Sequence, residues 1–160
     1  KTDWEVELGV VIGKKAKYIS EEESYKHIFG FCIVNDISER EFQLEKSGQW
    51  DKGKGCDTFG PIGPFLVTKE EIKDVQNLNL ELHLNDKMVQ KGNTNKMIFS
   101  IKKIVSYLSW FMTLYPGTII TTGTPAGTAM EMKIPEFLKA GDKLHLKVDG
   151  LGEQFHEIIE

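Results

Sequence analysis

The chain has 160 residues, 40% hydrophobic and 28% charged, with a formal net charge of −4. That size and balance suit one globular domain with a real core. They exclude several functions: no basic cluster is dense enough for a nucleic-acid surface, and no apolar run approaches the ~20 residues of a membrane span.

Trp4 to Ile12 alternates and then becomes a β-branched run, so it reads as a strand. Ser20 and Glu23 have capping-box spacing and predict a helix through Tyr25 and His27 to Phe29. Gly30 to Asn35 reads as a short buried strand ending at Asp36, and Ile37 to Leu44 as helix or turn. Ser47 to Gly55, with three glycines, reads as a polar loop. Thr68 and Glu71 give a second capping-box signal. Leu78 to Leu84 alternates strictly and turns at Asn85-Asp86 into Lys87 to Lys91, a hairpin.

Ser100 to Leu114 is the clearest helix, with Ile101, Ile104, Val105, Leu108, Phe111 and Met112 on one face and Pro116-Gly117 as its stop. Thr118 to Thr122 reads as a β-branched strand running into Gly123-Thr124-Pro125. Lys143 to Val148 and Gln154 to Ile159 read as a closing pair around Asp149-Gly150. Many strands, few helices and no βαβ alternation give a mixed β fold with one or two covering helices.

The chemistry begins at Glu5 and Glu7. Side chains two apart on a strand share a face, and two carboxylates there repel each other. A divalent cation removes that penalty, and carboxylate oxygen suits Mg²⁺, Mn²⁺ or Ca²⁺. Asp36, at the end of a buried-looking strand, offers a third carboxylate; taken alone it reads as a turn former or helix cap. Lys54, between Gly53 and Gly55, is able to approach a ligand closely, or is simply a solvated loop lysine. Gly123-Thr124-Pro125 is able to present a hydroxyl and backbone N–H groups to an anion, or is a plain strand-exit turn. The four histidines share no ligand spacing, and His83 and His145 are expected to face solvent. Cys32 and Cys56 have neither metal-ligand nor disulfide-framework spacing, so both read as reduced thiols of a cytoplasmic protein. Nothing resembles a signal peptide.

Four segments in order carry a resemblance: Asp3-Trp4-Glu5-Val6-Glu7-Leu8, Val34-Asn35-Asp36-Ile37-Ser38-Glu39-Arg40-Glu41, Gly53-Lys54-Gly55-Cys56-Asp57-Thr58-Phe59-Gly60-Pro61, and Thr122-Gly123-Thr124-Pro125. Together they resemble the fumarylacetoacetate hydrolase family over essentially the whole chain. The resemblance implies a mixed, mostly β fold with a rolled, barrel-like sheet around the active site, and a homodimer. It implies that residues 1–160 form the family's C-terminal catalytic domain. Glu5, Glu7 and Asp36 would bind Mg²⁺ or Mn²⁺, with Ca²⁺ as a further candidate. Lys54 would act catalytically and contact substrate near the metal, Gln43 would contact substrate, and Thr124 would bind its carboxylate end. Arg40 is expected to make a structural salt bridge.

The implied reaction is hydrolysis of a C–C bond in a 2,4-diketo acid. The stretch from Ser38 to Asp57 is most similar to the branch acting on 2,4-diketo-3-deoxy sugar acids of fucose or rhamnose breakdown, a branch often labelled ureidoglycolate lyase. Its products would be pyruvate and a hydroxy acid such as lactate. An oxaloacetate decarboxylase, a keto-acid isomerase or hydratase on the same metal, and a silent oxy-acid-binding module are the alternatives. The family's water-activating His/Glu pair lies upstream of Glu-x-Glu on a lid. Only four residues precede Glu5 here, so the lid segment is expected to be missing from this sequence.

Overall fold

The computed structural model describes residues 1–159. The strands are β1 (Thr2–Asp3), β2 (Val6–Ile12), β3 (Ile28–Asn35), β4 (Ser38–Glu39), β5 (Ile62–Thr68), β6 (Asn79–Leu84), β7 (Lys87–Asn93), β8 (Ile119–Thr121), β9 (Lys143–Val148) and β10 (Gly152–Glu157). The α-helices are α1 (Glu21–His27), α2 (Trp50–Lys54) and α3 (Ile101–Phe111). Two four-stranded sheets run in the orders β5-β3-β2-β8 and β10-β9-β6-β7, and β1 pairs with β4. Every named pairing is antiparallel.

The two sheets pack on each other, β2 against β6 and β3 against β9. They stay open rather than closing into one barrel, so the expected mixed β fold is present as a two-layer arrangement. Val6, Leu8, Val10 and Ile12 on β2, with Phe31 and Ile33 on β3, enter the main core. Each large apolar side chain buried there contributes about 1.5–3 kcal/mol. The alternate residues of the same strands face the other way. Val11, Cys32 and Val34 make a small separate cluster on that side, the side to which Glu7 belongs by alternation. All seven residues of β2 are buried, so a carboxylate on it is held away from bulk water.

Several local expectations need correction. The first strand is interrupted: Glu5 lies between β1 and β2. The first helix stops at His27, because Ile28 and Phe29 already belong to β3, and Ser20 makes no side-chain cap bond. Ile37 to Leu44 holds the short strand β4 and then a π-helical turn, Glu41–Glu45. The polar loop contains α2. No helix follows Thr68: Glu71 N–H donates to the Thr68 carbonyl in a turn, and Ile72, Val75 and Leu78 are each drawn into the core. The long helix ends at Phe111, and β10 starts at Gly152, two residues early. His83 and His145 are half-buried and stacked, centroids 5.7 Å apart, with His145 also stacked on Phe155 at 4.4 Å. Cross-strand register puts those rings opposite each other, and ring stacking outweighs solvation. Among the described residues no helix is long and apolar enough to cross a membrane.

Candidate metal centre

Glu5, Glu7 and Asp36 converge, each offering a carboxylate oxygen within 4.8 Å of the others. The backbone sets this up. Asp36 N–H donates to the Glu5 carbonyl at 2.9 Å, and Glu5 N–H donates to Asn35 Oδ1 at 3.2 Å. The end of β3 is thereby fixed to the start of β2. Glu7 is 2% exposed, and Gly123 N–H donates to its Oε2 at 2.8 Å. Gly123 has φ +92°, a conformation that favours glycine and aims this N–H from the strand exit.

Lys54 spans two of the carboxylates. Its Nζ donates to Glu5 Oε2 at 2.8 Å and to Asp36 Oδ2 at 2.6 Å. The residue before it explains how α2 comes so close. A Cβ on Gly53 would lie 2.6 Å from Gln43 Cβ and 2.6 Å from the Glu39 carbonyl oxygen. Only glycine lets α2 rest on the π-helical turn.

Arg40 makes the expected salt bridge, and a double one. Nε donates to Asp3 Oδ2 at 2.9 Å, Nη2 to Glu5 Oε1 at 2.5 Å, and Nη1 to Gln43 Oε1 at 3.0 Å. Gln43 is thus tied to Glu5 through one guanidinium, with its amide N–H₂ left as a donor. Thr124 stands beside the Glu7 partner Gly123, but its hydroxyl is engaged with backbone. It donates to the Val6 carbonyl at 2.9 Å and accepts from Gln90 Nε2 at 2.9 Å.

The electrostatics follow from this crowding. Burial, then the charges of Asp36 and Glu5, push the Glu7 carboxyl up to about 7, against the opposing hydrogen bond from Gly123. Burial would lower the Lys54 ammonium, but the carboxylates of Asp36 and Glu5 outweigh it and hold it above its ordinary value. The Arg40 guanidinium is held up in the same way, burial being outweighed by Glu5 and Asp3. A three-carboxylate oxygen set that already draws an ammonium onto two of its members fits a hard divalent cation. That cation and Lys54 would compete for Glu5 and Asp36.

Two contributors escaped the sequence reading. Asp3 is fully buried and completes the series Asp3-x-Glu5-x-Glu7, so the same period-two spacing could have found it. Gln90 is 1% exposed on β7. Its Oε1 accepts from Val6 N–H at 3.0 Å, and its Nε2 donates to Thr124 Oγ1 and, at 2.7 Å, to the Pro125 carbonyl. Its only sequence signal is a polar residue at an inward hairpin position. None of the four histidines is hydrogen-bonded to the carboxylates among the described residues. A cavity of about 550 Å³ lies against the 122–126 turn, and the three carboxylates do not line it.

Comparison with known proteins gives the family. The family profile described as "Fumarylacetoacetate (FAA) hydrolase C-terminal" matches residues 1–159. A Burkholderia cenocepacia protein carried under a provisional hydrolase name is 57% identical over 155 residues, covering 96% of this chain and 55% of the relative. The chain thus spans about half the length of the curated relatives it matches. A fumarylacetoacetate hydrolase from Exiguobacterium antarcticum superposes with TM-score 0.96 at 34% identity, over 99% of this chain and 57% of that one. A 2-hydroxyhepta-2,4-diene-1,7-dioate isomerase from Mycobacterium marinum gives 0.88 at 35% identity, over 99% and 58%. The chain belongs to the fumarylacetoacetate hydrolase family.

Proposed function

We propose that this chain carries the divalent-metal centre of a hydrolase that cleaves a C–C bond in a 2,4-diketo acid. The observation that carries the reading is the convergence of Glu5, Glu7 and Asp36 with the Lys54 ammonium laid across two of them. The family includes hydrolases and isomerases of keto acids and is generally dependent on a divalent metal.

The roles follow from the donors. Glu5, Glu7 and Asp36 would hold Mg²⁺ or Mn²⁺, which supplies Lewis acidity to a chelated 2-oxo acid and favours its enolate. Lys54, once released from Glu5 and Asp36, is a cation free to pair with the substrate's negative charge. Gln43 offers its amide N–H₂ from a position that Arg40 fixes. The 123–125 turn would take the carboxylate end of the substrate; for Thr124 to donate its hydroxyl there, it must leave the Val6 carbonyl. The proton-transfer group of hydrolysis is assigned, by the resemblance, to the part of the relatives that this chain does not cover. A diketo-deoxy sugar acid, yielding pyruvate and a hydroxy acid such as lactate, is the substrate this reading favours. Homodimer formation belongs to the same proposal and is measured by sedimentation.

A second reading, isomerisation of an unsaturated keto acid on the same centre, is favoured by the likeness to a named isomerase. The test is turnover, by the full-length protein, of a panel of 2-oxo and 2,4-diketo acids with Mg²⁺, with and without EDTA. Metal-dependent appearance of pyruvate from a diketo acid supports hydrolysis. Isomerisation outpacing cleavage replaces it with the second reading, and turnover indifferent to EDTA removes both.

A further inference from the structure

Among the described residues, Asp3 is a buried carboxylate beside the centre that is not one of its three converging members. Its two oxygens accept four N–H groups: Oδ1 from Trp4 N and Ala129 N, both at 2.8 Å, and Oδ2 from Met130 N at 3.0 Å and Arg40 Nε at 2.9 Å. It is 0% exposed and Arg40 is 4% exposed, so the pair is screened from water. The same guanidinium reaches Glu5 through Nη2. Arg40 is therefore shared between Asp3 and a carboxylate of the proposed metal set.

We infer that Asp3 is a positioning residue for the metal centre: by serving as the counter-ion of Arg40, it leaves the charge of Glu5 available to a divalent cation. The argument is one of charge balance. Asp3, Glu5, Glu7 and Asp36, when ionised, face two cations, Arg40 and Lys54, which leaves two negative charges, the complement of one divalent ion. Without the Asp3 charge the remainder halves, and Glu5 becomes the only carboxylate bonded to a buried guanidinium. A buried charge takes whatever counter-ion is in reach, because leaving it unpaired is costly. The backbone donors at Ala129 and Met130 add a structural duty. Asp3 also closes the 3₁₀ turn Ala129–Glu131, so the counter-ion is fixed from the far side of the fold.

This inference rests on the metal reading above, and the experiment separates the two. Mn²⁺ affinity is measured by titration calorimetry, at one pH, for the natural protein, Asp3→Asn and Asp3→Asn/Arg40→Gln, with thermal melts of each metal-free protein. Substitution of groups that support a metal ligand from behind weakens affinity by about 10–100-fold, and Asp3→Asn is expected to fall in that range. The double variant restores two net negative charges and is expected to regain most of that loss. A merely structural Asp3 would lower the melting temperature of both variants and leave Mn²⁺ affinity unchanged, and that result overturns the inference. A double variant that binds more weakly than Asp3→Asn also overturns it. If Asp3→Asn does not fold, the double variant, which has no unpaired buried guanidinium, decides alone: near-natural affinity supports the inference, and a loss above about 10-fold refutes it. Failure of the natural protein to bind Mn²⁺ removes the metal reading itself.

Discussion

Replacing Glu7 by Gln tests the carboxylate cluster most directly, because the expected changes in stability and in metal response run in opposite directions. The Glu7 carboxyl is raised from 4.5 to about 7, first by burial. The folded protein therefore keeps a proton that the unfolded chain releases. With the folded value above the unfolded one, the metal-free protein is most stable below pH 4.5. It loses stability as pH rises towards 7, and carries the whole penalty above that. A shift of this size corresponds to about 3 kcal/mol. Gln keeps the shape, still accepts from Gly123 N–H and has no charge to bury. In EDTA at pH 8, Glu7→Gln is expected to melt higher than the natural protein by about 6–12 °C, and the gap should close at pH 4.5. Adding Mn²⁺ should raise the melting temperature of the natural protein and leave the variant's unchanged. Equal melting of the two proteins at pH 8 in EDTA refutes the burial argument. A variant still stabilised by Mn²⁺ refutes Glu7 as a ligand.

Other substitutions probe the neighbours. Lys54→Met removes the ammonium that competes for Glu5 and Asp36; Mn²⁺ should bind at least as tightly while turnover falls about 100-fold, read by calorimetry beside a rate assay. Gly53→Ala drives a Cβ into Gln43 and the Glu39 carbonyl, so α2 must move; denaturant unfolding should show a loss of about 1–3 kcal/mol, and KM should rise as Lys54 is displaced. Gln90→Leu orphans the buried Val6 N–H and removes the donor to the Thr124 oxygen, costing about 1–3 kcal/mol; urea unfolding indistinguishable from the natural protein would show that this clasp contributes nothing.

How much of this was legible depends on the range of the interaction concerned. Glu5 and Glu7 announce themselves because a strand's period is local, and the β-branched run that follows fixes the strand. The mixed β expectation holds as a mostly β fold, because alternation in Leu78 to Leu84 and Lys143 to Val148 needs no partner to be seen. The helix α2 was not legible. Trp50-Asp51-Lys52-Gly53-Lys54 has poor intrinsic propensity, and α2 forms where it packs on the π-helical turn. The spacing of Thr68 and Glu71 misled for the complementary reason. A cap signal has force only ahead of a helix, and here Ile72, Val75 and Leu78 go to the core one at a time. Gln90 and Asp3 act across 84 and 126 positions of sequence, to Val6 and Ala129, and no local pattern encodes such a bond.

The position of Lys54 makes a prediction about order. In the metal-free protein its ammonium is spent on Glu5 and Asp36, and the Arg40 guanidinium on Asp3 and Glu5. Among these groups no cation is left for an incoming oxo-acid anion, which would instead meet three carboxylates. When a divalent ion takes the oxygens of Glu5 and Asp36, the same lysine becomes available and the repulsion is cancelled. Metal and oxo acid should therefore bind with strong positive coupling, and by linkage each must raise the affinity of the other by the same factor. Oxalate, an unreactive stand-in for the chelating end of a 2-oxo acid, supplies the measurement. Calorimetry in EDTA should show no binding, titration in saturating Mn²⁺ should show a defined site, and Lys54→Met should weaken that site. Oxalate that binds equally well with and without Mn²⁺ would mean that Lys54 is not held back by its carboxylates, and that the ion pairs seen here do not control access to the centre.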